Sequence, residues 1–250
     1  MCLDAVCTGM SEEDALTAAA GAGMVRFEFW DWRGRDLEAL RRAAQALGLV
    51  PVIYSGNTFG EPLLDPGAHP AALTHLRGSL EAARTLGVLL LVAHVGYTLP
   101  HREPAAQWKA AVAGLRAAGD LAGAAGVTLA VEPLNSKIDH PGYFLDTLDA
   151  AQRLLQEVDH PAVRLLLDVY HMWVMHDDLP ARLSAVAPMV VHVHAADYPG
   201  RGEPGSGIIP WPAILKRLRD GGYEGPIGLE CWPTGRVDAA LRRSAEVLAA

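Results

Sequence analysis

The chain has 250 residues, half of them apolar, with 21 Lys and Arg against 29 Asp and Glu and a formal net charge of −8. A folded chain of this length hides roughly 70–75% of its extended surface, enough for a full core without disulfides or structural metal, which excludes overall disorder. The acidic balance repels polyanions and no run of Lys or Arg supplies a concentrated basic patch, so no nucleic-acid partner is expected.

Short aliphatic or β-branched runs alternate with alanine-rich amphipathic segments that end in glycine, at a period of about 25–40 residues. Leu3 to Cys7 reads as a weak first strand. Ser11, followed by Glu12, Glu13 and Asp14, caps a helix that Gly21 and Gly23 close. Met24 to Phe29 is the second strand, Asp36 opens a helix through Leu47 that Gly48 stops, and Leu49 to Tyr54 is the third strand. After a Pro- and Gly-rich loop from Ser55 to Pro70 come a helix over Ala71 to Leu86 and a fourth strand, Val88 to Val95. That strand is apolar nearly throughout, as a parallel strand covered on both faces should be. Helix Ala105 to Ala125, strand Val127 to Val131, helix Thr147 to Val158 and strand Val163 to Leu167 follow. Helix Leu179 to Val186, strand Val190 to Val193, helix Trp211 to Asp220, strand Ile227 to Leu229 and helix Val237 to Ala249 complete the series.

Eight strand–helix units with no linker-like break predict one α/β domain over residues 1–250, a single (β/α)8 TIM barrel. A doubly wound open sheet is the runner-up, but it usually needs fewer units, and no early Gly-rich phosphate loop is present. The apolar run Val88 to Ala93 falls far short of the roughly 20 residues that cross a bilayer, and no basic segment precedes the first apolar stretch, so neither membrane span nor signal peptide is expected. Cys2, Cys7 and Cys231, an odd number without zinc-ribbon or C-x-x-C spacing, suit reduced thiols in a cytoplasm. Nothing in the composition opposes a homo-oligomer.

In a parallel barrel the chemistry sits where strands end. Four consecutive strands of the second half lead into Glu132, Asp168, His194 and Glu230, whose side chains should face one hollow. Three carboxylates gathered there resist ionisation unless a cation holds them, and three oxygens with one imidazole suit Mg²⁺ or Mn²⁺ better than zinc. His192, two residues before His194 on the same strand face, reads as a packed or supporting histidine. His94 ends the fourth strand, either as a substrate contact or as a hydrogen-bonded core imidazole. His171 places another imidazole beyond Asp168. The stretch Pro199 to Gly207 formally contains G-x-G-x-x-G, but Pro204 removes an amide and the next helix starts only near Trp211, so it is not a dinucleotide loop. Arg201 on it is a candidate clamp for a carboxylate or phosphate, against the alternative of a solvated arginine.

Val131-Glu132-Pro133-Leu134-Asn135, Pro141-Gly142-Tyr143-Phe144, Leu167-Asp168-Val169-Tyr170-His171-Met172, His192-Val193-His194-Ala195-Ala196-Asp197, the segment Arg201 to Gly207 and Gly228-Leu229-Glu230-Cys231 resemble the hydroxypyruvate isomerase family, a branch of the xylose-isomerase-like TIM barrels. The resemblance is dense from Leu129 to Trp232. It implies that Glu132, Asp168, His194 and Glu230 ligate a divalent metal, that Glu132 and Glu230 also form the proton-transfer pair, and that His171 and Arg201 bind substrate. It implies an isomerase acting on a small hydroxy-keto acid, hydroxypyruvate to tartronate semialdehyde, with no organic cofactor. Glu28 matches a family glutamate of the second strand that reads as structural. His194 stands where these isomerases usually carry Gln and the related ketose 3-epimerases carry His, which keeps an epimerase acting on a sugar as the nearest alternative. A non-catalytic metabolite-binding barrel is the remaining one, and it would have no need of both glutamates.

Overall fold

Runs too short for a helix pair side by side, every one of them parallel. The computed structural model describes residues 1–176 and 178–249. Strands β1 (Arg26–Phe27) and β2 (Val50–Pro51) form one ribbon. Strands β3 (Ile53–Ser55), β4 (Leu90–Ala93), β5 (Thr128–Val131), β6 (Val163–Asp168), β7 (Val190–Ala195) and β8 (Ile227–Leu229) form a sheet in sequence order. The Val52 N–H donates to the Phe27 carbonyl at 2.9 Å, so β2 and β3 act as one interrupted strand beside β1. At the other edge the Cys2 N–H reaches the Leu229 carbonyl and the Leu3 N–H the Glu28 carbonyl, both at 2.8 Å. Residues 1–3 thus join β8 to β1 and close the sheet into a barrel, which removes the exposed edges of an open sheet.

The first predicted strand is corrected. Leu3 to Cys7 is not a strand: only Cys2 pairs with Glu28, and Leu3–Val6 is a short helical turn, α1. An apolar run of four or five residues carries no period by which strand and buried turn can be told apart. Helices α2 (Glu12–Gly21), α3 (Leu37–Ala46), α4 (His69–Leu86), α5 (Pro104–Ala124) and α6 (Leu148–Val158) lie where the pattern places them. So do α8 (Leu179–Val186), α9 (Trp211–Asp220) and α10 (Val237–Ala249). Side-chain oxygens of Ser11, Asp36 and Thr147 cap α2, α3 and α6 by accepting the N–H three residues on. An unexpected helix, α7 (Val169–Met175), starts directly at Asp168, whose carboxylate caps it through the His171 N–H at 2.9 Å. Among the described residues no helix is long and apolar enough to cross a membrane.

The helices bury one large apolar core against the outside of the sheet, and a second, small cluster of Ile53, Val92, Ala130 and Leu166 fills the inside of the barrel. Because side chains alternate along a strand, the residues two positions further on also point inward. Those are His94, Glu132 and Asp168, so the apolar plug is the floor on which the polar site stands.

Candidate active site

The ends of β5, β6, β7 and β8 bring Glu132, Asp168, His194 and Glu230 together, all buried, with one ligand-type atom of each lying within 4.8 Å of the others. His194 Nδ1 is 3.2 Å from Glu132 Oε1 and 3.7 Å from Glu230 Oε2. Its other nitrogen, Nε2, lies 3.0 Å from Glu28 Oε2, and the same oxygen meets His192 Nε2 at 2.9 Å. Glu28, at the end of β1, therefore orients both histidines from below: with the Nε2 proton of His194 directed to Glu28, Nδ1 is left to face the carboxylates. Gly228 makes room for this carboxylate, since a Cβ there would lie 2.6 Å from Glu28 Cδ.

The remaining predicted residues line the same cavity, whose volume is about 350 Å³. His94 Nε2 lies 3.3 Å from Glu132 Oε2. The Arg201 guanidinium bonds Glu230 Oε2 at 2.6 Å, approaches Asp168 Oδ2 to 3.7 Å and stacks over the Trp232 ring at 4.9 Å. Its backbone is left-handed, φ 55°. The loop that imposes this conformation is braced by Asp197, which accepts the N–H groups of Tyr198, Gly205 and Ile209 at 2.9, 2.8 and 3.0 Å. The glycine-rich stretch is thus a fixed arm carrying Arg201.

Three residues of the site carried no sequence signal strong enough to single them out. The Trp30 indole N–H donates to Glu230 Oε1 at 2.7 Å. Phe59 covers His94, with ring centroids 4.5 Å apart. Asn135 contacts His171 Nδ1 at 2.7 Å. Asn135 lies three residues after Glu132 in a loop that must turn around that glutamate, and this spacing is the cue that could have found it.

The charges do not balance well without a cation. Burial, with Glu230 and Glu132 nearby, pushes the Asp168 carboxyl up to about 7, although Arg201 pulls the other way. Burial would also raise Glu132, but hydrogen bonds from His194 and His94 hold it well below the usual carboxylate range. Burial would lower His194, yet the surrounding Glu230, Glu28 and Glu132 hold it well above an ordinary histidine. Asp168 Oδ2 is buried with no hydrogen-bond partner. An orphaned carboxylate oxygen inside a ring of three carboxylates and one imidazole fits a divalent cation, and these four residues could hold one.

The model of the xylose isomerase-like TIM barrel family matches residues 15–250. A Streptomyces coelicolor protein provisionally named hydroxypyruvate isomerase is 34% identical over 234 residues, 86% of this chain and 84% of its own. Hydroxypyruvate isomerase of Escherichia coli K12 is 29% identical over 177 residues, 71% of this chain and 68% of its own. A solved structure described as AP endonuclease, family 2, from Brucella melitensis superposes with a TM-score of 0.91 at 26% identity, covering 98% of this chain and 96% of that one. The chain belongs to the xylose isomerase-like TIM barrel family, and it is an isomerase.

Proposed function

We propose that residues 1–250 form one barrel domain that isomerises hydroxypyruvate to tartronate semialdehyde through a cis-enediolate, with Mg²⁺ or Mn²⁺ and no organic cofactor. The observation that carries this reading is the pair Glu132 and Glu230, on the ends of β5 and β8, both within reach of His194 Nδ1 at 3.2 and 3.7 Å. In the reaction a proton leaves C3, the hydroxyl proton at O3 passes to O2 and a proton arrives at C2, so product and substrate are isomers and no redox partner is needed. Two carboxylates bordering one small cavity supply the acceptor and the donor for that transfer. Glu132, Asp168, His194 and Glu230 would hold the cation, which when bound supplies a Lewis acid for the substrate's carbonyl and hydroxyl oxygens. Arg201, with N–H groups beyond the one on Glu230, would hold the substrate carboxylate as a fork. His171 and His94 border the remaining substrate oxygens. The cysteines are buried and free, which supports a reducing, cytoplasmic setting.

Incubation in D₂O with added Mg²⁺ or Mn²⁺ tests the reading. Deuterium should wash into hydroxypyruvate and tartronate semialdehyde should accumulate by NMR. No exchange with hydroxypyruvate alongside epimerisation of a free ketose would instead assign the site to C3 epimerisation. Nuclease chemistry has little support here, since the net charge is −8 and one histidine stands in the four-residue cluster.

Metal binding should depend steeply on pH. Asp168, raised to about 7, and His194, also raised, bind more protons in the metal-free fold than in the unfolded chain. Their contribution to stability is therefore present at acid pH and fades as pH rises, for Asp168 between its ordinary value near 4 and about 7. A cation needs Asp168 ionised and His194 Nδ1 bare, so the sign reverses for binding. Calorimetric titration should show Mn²⁺ affinity rising by up to about a hundredfold per pH unit below 7, where Asp168 and His194 must each give up a proton, and more gently above 7, where only His194 still does. A flat profile would contradict the assignment.

A further inference from the structure

His171 is gripped by a residue that none of the steps above uses. Asn135 is buried just beyond β5. Its Oδ1 accepts the N–H groups of Ile138 at 3.0 Å and Asp139 at 2.9 Å, and its Nδ2 donates to Asp139 Oδ2 at 2.6 Å. Those three contacts fix which end of the amide is the NH₂. The same Nδ2 lies 2.7 Å from His171 Nδ1, and the Asn135 backbone N–H points at that nitrogen from 3.2 Å. A backbone N–H can only donate, so Nδ1 carries the lone pair and the ring proton sits on Nε2. Nε2 is buried, has no partner and lies 3.7 Å from the equally orphaned Asp168 Oδ2, in a residue that lines the cavity.

We infer that Asn135 is a positioning residue that locks His171 in its Nε2–H tautomer and so makes it a neutral hydrogen-bond donor to the substrate oxygen on which negative charge develops. A neutral imidazole is too weak an acid to give up this proton, so it stabilises the oxyanion by hydrogen bonding alone and leaves proton transfer to the glutamates. The tautomer follows from hydrogen-bond geometry, whereas the catalytic half rests on the isomerase reading of the cavity.

Two variants separate positioning from loop support. Asn135→Asp, made in an Asp139→Asn background so that no second carboxylate faces it across the present 2.6 Å contact, keeps an oxygen for the N–H groups of residues 138 and 139 but sets a carboxylate against Nδ1, which draws the ring proton there and turns Nε2 into an acceptor. Asn135→Ala gives up the loop contacts but keeps the backbone N–H on Nδ1. Positioning predicts that Asp is the worse substitution, with kcat down about 100-fold and KM little changed, while Ala loses about tenfold or less. Loop support alone predicts the reverse order, and that result would overturn the inference. Long-range ¹H–¹⁵N correlation of the Mg²⁺-supplemented wild type reads the tautomer directly, whether or not either variant folds. Nδ1 of His171 should resonate as an unprotonated, pyridine-type nitrogen and Nε2 as a protonated, pyrrole-type one. A protonated Nδ1 would overturn the inference at its root. The expected tautomer in a protein that does not exchange hydroxypyruvate protons would instead sink the isomerase reading, and the catalytic half with it.

Discussion

Glu132→Gln and Glu230→Gln should each abolish deuterium wash-in, lowering kcat by about 10³-fold or more, because proton transfer alone is worth 10²–10⁴ and each residue also stands in the cation cluster. The two substitutions should nevertheless differ in what else they disturb. At position 230, an amide oxygen can still accept the Trp30 indole N–H now bonded at 2.7 Å, but the NH₂ then faces the Arg201 guanidinium that sits 2.6 Å from the native oxygen. Donor against donor drives Arg201 away, so Glu230→Gln should raise KM for hydroxypyruvate as well as lower kcat. At position 132 the neighbours are His94 and His194, at 3.3 and 3.2 Å, and because Glu28 keeps the His194 proton on Nε2, the bare Nδ1 can accept from the amide NH₂ while His94 Nε2 donates to the amide oxygen. Glu132→Gln should therefore act on kcat with KM nearly unchanged. Mn²⁺ titration of both variants separates lost proton transfer from lost metal. A variant that binds Mn²⁺ as the wild type does and still exchanges deuterium would remove that glutamate from the proton-transfer pair.

How much of this was visible in the chain itself depends on geometry that repeats. Val163 to Leu167 and the other apolar runs each end in one polar residue, and because every strand is parallel those ends gather at one mouth. Glu132, Asp168, His194 and Glu230 could be placed together on that ground, and the structure brings them within 4.8 Å. What could not be read was whatever arrives from outside the repeat. Trp30 reaches Glu230 across 200 residues, and nothing local separates it from a tryptophan packed in the core. The orientation of His171 depends on which way the Asn135 amide faces, and that is fixed by the backbone of Ile138 and Asp139. Leu3 to Cys7 failed as a strand because closure needs only residues 1–3, after which the chain is free to turn.

Gly228→Ala is expected to damage both the fold and the site through a single methyl group. The added Cβ would fall 2.6 and 2.8 Å from Glu28 Cδ and Oε2, well inside van der Waals contact, and neither strand can yield, because β7 and β8 are paired through Gly228 itself. Glu28 must move instead. Its carboxylate would leave His192 and His194, now held at 2.9 and 3.0 Å, in a pocket where it is 4% exposed. Squeezing Glu28 in beside the methyl group would cost about 1–3 kcal/mol and expelling it from its histidines about 3–5, and these are alternative ways to relieve one overlap, so a loss of about 3 kcal/mol, where the two ranges meet, and roughly a 10 °C fall in Tm are expected. Because His194 loses the partner that fixes its tautomer, Mn²⁺ affinity should drop by a further factor of about 10–100. Glu28→Ala makes the decisive comparison. On its own it also frees His194 and weakens Mn²⁺ binding, but it opens the space that the new methyl group on β8 needs. In a double-mutant cycle, adding Gly228→Ala to Glu28→Ala should therefore cost about 1 kcal/mol or less, with a coupling of about 2 kcal/mol by thermal unfolding. Additive losses would mean that glycine at 228 serves the backbone of β8 and has no special relation to Glu28.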